Sequence, residues 1–166
     1  MKRLLVMLLL VGCTKTMPSV TNNETSSTQP PPPAAAPAGP RVVFPDGFVV
    51  RVEIAADDEL RAQGLMYRDQ LRPGTGMLFF FPQEGEYPFW MKNTRIPLDM
   101  IWIDSNRRIA AMHHDVPPCQ IEDCPSYPPK ANSRYVLEVS GGVAKQHGLK
   151  VGDILRFEQT DHVVAR

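Results

Sequence analysis

The stretch Phe89–Asp104, FWMKNTRIPLDMIWID, decides how the rest of the chain is read. From Leu98 to Ile103 it is apolar on both sides of the two-residue alternation, which predicts a strand covered on both faces. A strand of that kind lies inside a sheet, with packed material above and below it. Upstream, a polar run (Lys92, Asn93, Thr94 and Arg95) is wedged between Met91 and Ile96. A hydrophobic core has no need of such a run. A pocket does, because apolar walls need a few donors and acceptors to orient a ligand. The candidate ligand-binding residues are therefore Trp90, Met91, Lys92, Asn93, Thr94 and Asp99. Trp90 offers a flat face for stacking, and Lys92 with Arg95 can hold a carboxylate or phosphate. The competing reading is plain core. Phe89, Trp90 and Met91 pack inside, Asn93-Thr94 make a turn, Pro97 stops pairing at the strand's entry, and Asp99 and Asp104 cap or face water.

Working outward from this strand, short β segments dominate. Val42 to Ala55 carries Pro45-Asp46-Gly47 between two β-branched runs and reads as a hairpin. Asp57 to Gly64 reads as a short helix, acidic at its start and ended by glycine. Arg72 to Gly76 is a turn, and Met77 to Phe81 is a strand. Ser105-Asn106 turns the chain into a returning strand from Arg108 to His113. Arg134 to Val139 is a further strand. A second short helix spans Ser140 to Leu149, with Ser140 as its cap and Gly148-Leu149 as a Schellman ending. Ile154 to Phe157 forms a last strand, with His162 to Ala165 as its continuation. The fold class is mainly β (α+β): an antiparallel curled sheet or small barrel of about eight short strands with two short helices.

The N-terminus sets the expected compartment. MKRLLVMLLLVGC places Lys2 and Arg3 before an apolar run from Leu4 to Val11, too short for a spanning helix but of signal-peptide size. Gly12-Cys13 resembles a bacterial lipobox, so residues 1–12 are read as a lipoprotein signal peptide and Cys13 as the lipidation site, palmitate included. Thr14 follows, without the Asp that retains lipoproteins at the inner membrane. The expected location is the cell envelope, lipid-anchored and facing the periplasm from the outer membrane. Residues 13–40 hold seven prolines and almost no large apolar group. They are read as a disordered tether reaching roughly 30 Å as a coil or about 80 Å as a polyproline helix. Residues 41–166 form a single globular domain. Of the chain's 18 basic residues, removal of Lys2 and Arg3 leaves 16 against 18 acidic ones. That balance excludes nucleic acid as a partner. The expected partners are the membrane, through the acylated end, and an unknown small ligand or envelope protein.

Several runs in fixed order carry a resemblance: Gly64-Leu65-Met66-Tyr67-Arg68, Gly76-Met77-Leu78-Phe79-Phe80-Phe81, Phe89 to Thr94, Ile96 to Met100, Tyr135-Val136-Leu137-Glu138 and Gly148 to Asp153. Together they resemble the domain of unknown function 192 family over roughly residues 47–158. The resemblance implies a bacterial or archaeal protein, secreted or lipid-anchored in many members. It implies no reaction.

Catalytic motifs are sparse. No Gly-x-Ser-x-Gly elbow and no Walker-type loop occurs. Asp99, Asp104 and Glu138 are the carboxylates from which a hydrolase pair for an envelope carbohydrate would be drawn. His113-His114-Asp115 upstream of Cys119 and Cys124 invites a zinc reading. Neighbouring histidines on a strand point to opposite faces, however, and outside the cytoplasm two thiols are better read as a disulfide. Cys119–Cys124 is therefore expected to close the Pro-rich loop, with no metal and no cofactor. The function expected from sequence is binding, with a hydrolase and a pocketless structural lipoprotein as the alternatives.

Overall fold

The computed structural model describes residues 39–166. The signal peptide 1–12, Cys13 and nearly all of the 13–40 tether lie outside the described residues.

The hairpin at the start forms as its turn chemistry requires. β1 (Arg41–Val43) pairs antiparallel with β2 (Val49–Ala55). Gly47 takes φ 89°, and the Asp46 carboxylate accepts the Phe48 N–H at 2.9 Å. A carboxylate bonding the backbone two residues on is the usual closure of such a turn. Helix α1 (Asp58–Gln63) begins with Asp57 accepting the Leu60 N–H and ends at Gly64. Next come β3 (Thr75–Gly85), β4 (Phe89–Trp90), β5 (Leu98–Ile103) and β6 (Ile109–Val116). They are followed by β7 (Ser126–Tyr127), β8 (Ser133–Ser140), α2 (Val143–Gln146) and β9 (Arg156–Glu158).

Seven strands form one curled, half-barrel sheet in the order β6-β5-β8-β3-β2-β1-β9, and β4 with β7 forms a separate two-stranded ribbon. The two edges of the large sheet are stitched at one end. Ile109 N–H donates to the Asp153 carbonyl at 2.8 Å, and Leu155 N–H donates to that of Arg107 at 2.9 Å. Curling lets a small sheet satisfy part of its edge this way. β5 is buried at all six of its residues, as the apolar residues on both sides of its alternation predict, and the one polar residue among them is Asp99. The two faces carry two cores. On one, Leu78, Ile101, Leu137 and Val139 pack beneath α2 with Val42 and Leu155. On the other, Phe79, Met100, Trp102 and Val136 pack with Leu65 and Met91.

Three local readings are corrected, and one strand pairing is new. β2 and β3 run parallel, because the connection between them carries α1 and is long enough for a crossover. His162 to Ala165 is not a strand; Val163 and Ala165 instead lie against the first core. Phe89-Trp90 pairs with Ser126-Tyr127, a ribbon that two-residue segments do not announce. Ser140 does not cap α2 but ends β8. The N-cap is Gly142, left-handed at φ 87° and without a side chain to bond the first turn. The Schellman ending does form, with the Leu149 N–H on the Ala144 carbonyl and the Gly148 N–H on that of Lys145.

Candidate functional site

A cavity of about 250 Å³ opens between the end of α1, strand β3 and the β4 segment. Its walls are aromatic. Phe79 meets Phe89 edge-on at 5.0 Å, Phe81 stacks on Tyr87 at 3.7 Å, and Trp90 stands half exposed at the mouth. These rings are held from behind. Trp102, fully buried, packs edge-on against Phe89 at 5.8 Å and donates its indole N–H to the Tyr87 carbonyl at 2.8 Å. The α1 side of the cavity is a turn of small and flexible residues, Gly64-Leu65-Met66. Gly64 lies so close to Phe79 that a Cβ there would sit 3.4 Å from the ring.

Into this apolar space projects one carboxyl group, that of Glu138 on β8. The residue is 4% exposed and lines the cavity; no side chain or backbone group among the described residues hydrogen-bonds its carboxyl, whose oxygens open onto the cavity and are not sealed in protein. Alternation along β8 explains its direction. Glu138 pairs with Met77 on one side and Met100 on the other, on the same face as Val136, so it emerges on the aromatic side of the sheet. The strands approach closely here, since a Cβ on Gly76 would fall 2.4 Å from the Glu138 carbonyl oxygen. Burial alone pushes the Glu138 carboxyl up to about 8. Desolvation penalises the charged form, and no neighbouring cation offsets it. Arg61 lines the cavity, with its guanidinium 5.5 Å from the centre of the Phe81 ring, and is committed to protein acceptors. It donates to the carbonyls of Phe80 and Arg166 and to Asp58.

Of the six sequence-derived candidates, Trp90, Lys92 and Thr94 line this cavity. Lys92 places its ammonium 5.5 Å from the centre of the Trp90 ring and has no carboxylate partner among the described residues. The other three do not line it. Met91 is wholly buried in the second core, because residues alternate along an extended segment and it points away from its neighbours. Asn93 adopts a left-handed backbone (φ 56°) and donates to the Tyr67 hydroxyl at 2.9 Å. Asp99 emerges on the opposite face of the sheet. It accepts the N–H groups of Asp115 at 2.7 Å, Gly142 at 3.0 Å and Ala144 at 2.7 Å. It is the cap that Gly142 cannot supply. The carboxylates suggested for hydrolysis therefore separate. Asp99 is enclosed under α2, Asp104 accepts the N–H groups of Asn106 and Arg108 in the β5–β6 turn, and Glu138 stands apart from both.

Cys119 and Cys124 are joined as a disulfide with Cα atoms 5.9 Å apart. The bond lies beside the cavity wall, since Cys119 makes β-bridges to both Lys92 and Thr94. Among the described residues no group of His, Cys, Asp and Glu is gathered to hold a metal ion, and His113 Nε2 lies 3.1 Å from the Pro128 carbonyl oxygen. A second cleft of about 450 Å³ is bordered by Phe48, Val143 and His147. Its ionisable group is already satisfied, because His147 Nδ1 pairs with Asp46 at 2.7 Å and the ring stacks on Phe48.

Residues outside the quoted stretch supply most of the cavity. The signal for Glu138 was present in Arg134–Val139, RYVLEV, where one acid stands among apolar residues on both sides of the alternation.

Comparison with known proteins gives a family model and solved structures. The DUF192 model, described as an uncharacterised ACR, matches residues 41–157. A crystal structure from Sinorhizobium meliloti 1021, provisionally labelled a transcription regulator, is 35% identical with a TM-score of 0.63. The match covers 74% of this chain and 98% of that one. A protein of unknown function from Novosphingobium aromaticivorans DSM 12444 is 33% identical with a TM-score of 0.64, covering 74% and 94% of the two chains. No curated protein matches the chain.

Proposed function

The chain belongs to the DUF192 family, and from that premise we propose that it is a small-ligand-binding protein of the cell envelope, held to the membrane by an acylated Cys13. The observation that carries the binding reading is Glu138. A buried carboxyl without a partner costs several kcal/mol of desolvation if it ionises. The family of contacts around it supplies no compensation, so a ligand is the group that would. Aromatic walls around a few polar groups are the usual make-up of a small-molecule site. The envelope reading is supported by the charged, apolar and Gly-Cys order of residues 1–13, by the Pro-rich segment after it, and by a disulfide beside the cavity. The regulator label of the Sinorhizobium relative is not carried over, because removal of Lys2 and Arg3 from the 18 basic residues leaves 16 against 18 acidic ones.

A thermal-shift screen of the full chain against amines, sugars, peptides and nucleotides tests this reading. A ligand for the cavity raises the melting temperature of the wild-type protein by mass action, and raises it less in Glu138→Gln and Trp90→Ala. Stabilisation that is equal in all three proteins would move the site elsewhere. Palmitate labelling that is lost in Cys13→Ser supports the anchor, and an uncut, unlabelled chain contradicts it.

A further inference from the structure

We propose that the cavity takes an organic ammonium ion, its cationic head against the Glu138 carboxylate and its body between the rings of Phe79, Phe81, Phe89 and Trp90. This inference rests on the ligand-binding reading above and names the chemistry of the ligand. Three observations carry it. Glu138 is 4% exposed, and its carboxyl opens onto the cavity and has no protein partner among the described residues. The walls are ring faces and edges, whose negative quadrupole faces attract a cation. Finally, one of these rings already receives an ammonium within the protein, since Lys92 Nζ lies 5.5 Å from the centre of Trp90. The volume, about 250 Å³, is that of roughly eight waters and suits a head group with one ring or a short chain.

The charged and titratable groups bordering Glu138 are few. α1 contributes Arg61, which lines the cavity 5.5 Å from the centre of Phe81 and is committed to Asp58 and two carbonyls, so the ligand's charged head belongs at Glu138 and not at the Phe81 face. The β4 segment contributes Lys92, at the mouth. Tyr87 donates its hydroxyl to the Gln83 carbonyl. From β3 and β5 the facing residues are Met77, Phe79, Met100 and Trp102, none of which titrates. Binding a cation therefore has one proton partner. Below about pH 8 the carboxyl starts protonated, and the ammonium displaces its proton to solvent as the ion pair forms. A ligand held as a neutral hydrogen-bond acceptor would do the reverse and leave as the proton leaves.

Isothermal titration of the full chain distinguishes these cases. The probes are benzyltrimethylammonium, whose charge does not titrate, the neutral benzyl alcohol, and the anion benzoate. The cation is expected to bind, tightening up to about tenfold per pH unit between pH 6 and 7 and levelling off above pH 8.5. Near one proton is expected to be released at pH 6, read from buffers of different ionisation enthalpy. In Glu138→Gln the pH dependence disappears and binding weakens tenfold or more. Trp90→Ala, at a half-exposed position, weakens the cation without unfolding the chain. Benzyl alcohol or benzoate binding as tightly as the cation overturns the ammonium assignment and leaves a ligand pocket standing. If no probe binds and none shifts the carbon resonance of the Glu138 carboxyl, the pocket reading falls with it.

Discussion

Asp99 and Glu138 lie on adjacent rungs of neighbouring strands, at 0% and 4% exposure, and have opposite surroundings. Asp99 faces α2 and accepts three backbone N–H groups. Glu138 faces the aromatic cavity and accepts none among the described residues. Two buried carboxylic acids thus serve two ends. A carboxylate that is fully bonded inside a fold is architecture, since it completes a helix start that the local sequence leaves open. A carboxyl buried without donors destabilises the empty protein and has its use in something that arrives.

The largest effect expected from this contrast is a dependence of stability on pH. Glu138 keeps its proton in the folded state up to about 8, while the unfolded chain releases it near 4.5. The folded state then binds more protons at this group than the unfolded one, so the Glu138 contribution to stability is greatest below pH 4.5 and falls as pH rises to about 8. The loss is as much as about 5 kcal/mol across that window. Urea unfolding of Glu138→Gln at pH 5, 6.5 and 8 lacks that component, so the variant gains on the wild type as pH rises. Asp99 behaves oppositely. Asp99→Ala orphans three donors and costs about 4 kcal/mol at neutral pH. Asp99→Asn, which keeps one acceptor oxygen, costs less, and amide exchange at Gly142 and Ala144 accelerates in both variants.

How much of this contrast was legible in the sequence depends on the distance over which each feature is encoded. The two-sided apolar character of Leu98 to Ile103 and the Gly148-Leu149 ending are local, and both appear as read. Trp90, Lys92 and Thr94 line the cavity, but Met91 between them does not, because an extended chain sends alternate residues to opposite faces. The role of Asp99 was not legible. Two of its three donors, Gly142 and Ala144, are more than forty residues away, and Ser140 offered a nearer but unused cap for the helix. The cavity itself is assembled from α1, β3, β4 and β8, and no sequence spacing records that those elements converge.

Two smaller effects sharpen the comparison on the Glu138 side. The disulfide holds Cys119, whose backbone forms β-bridges to Lys92 and Thr94, so its removal loosens the cavity wall and leaves α2 untouched. Cys119→Ala/Cys124→Ala is expected to lower stability by about 2 kcal/mol and to weaken ligand binding, while exchange at Ala144 stays at its wild-type rate. Trp90→Ala should change stability by less than about 1 kcal/mol, since the ring is half exposed, and act mainly on affinity.

The most direct measurement is the titration of the Glu138 δ-carboxyl carbon by NMR in the ligand-free protein, assigned by its disappearance in Glu138→Gln. A midpoint near 8 is predicted. A midpoint near 4.5, the ordinary value for a glutamate, would mean that the group is solvated or paired, and would contradict the account of the cavity as a site awaiting a partner for its one buried acid.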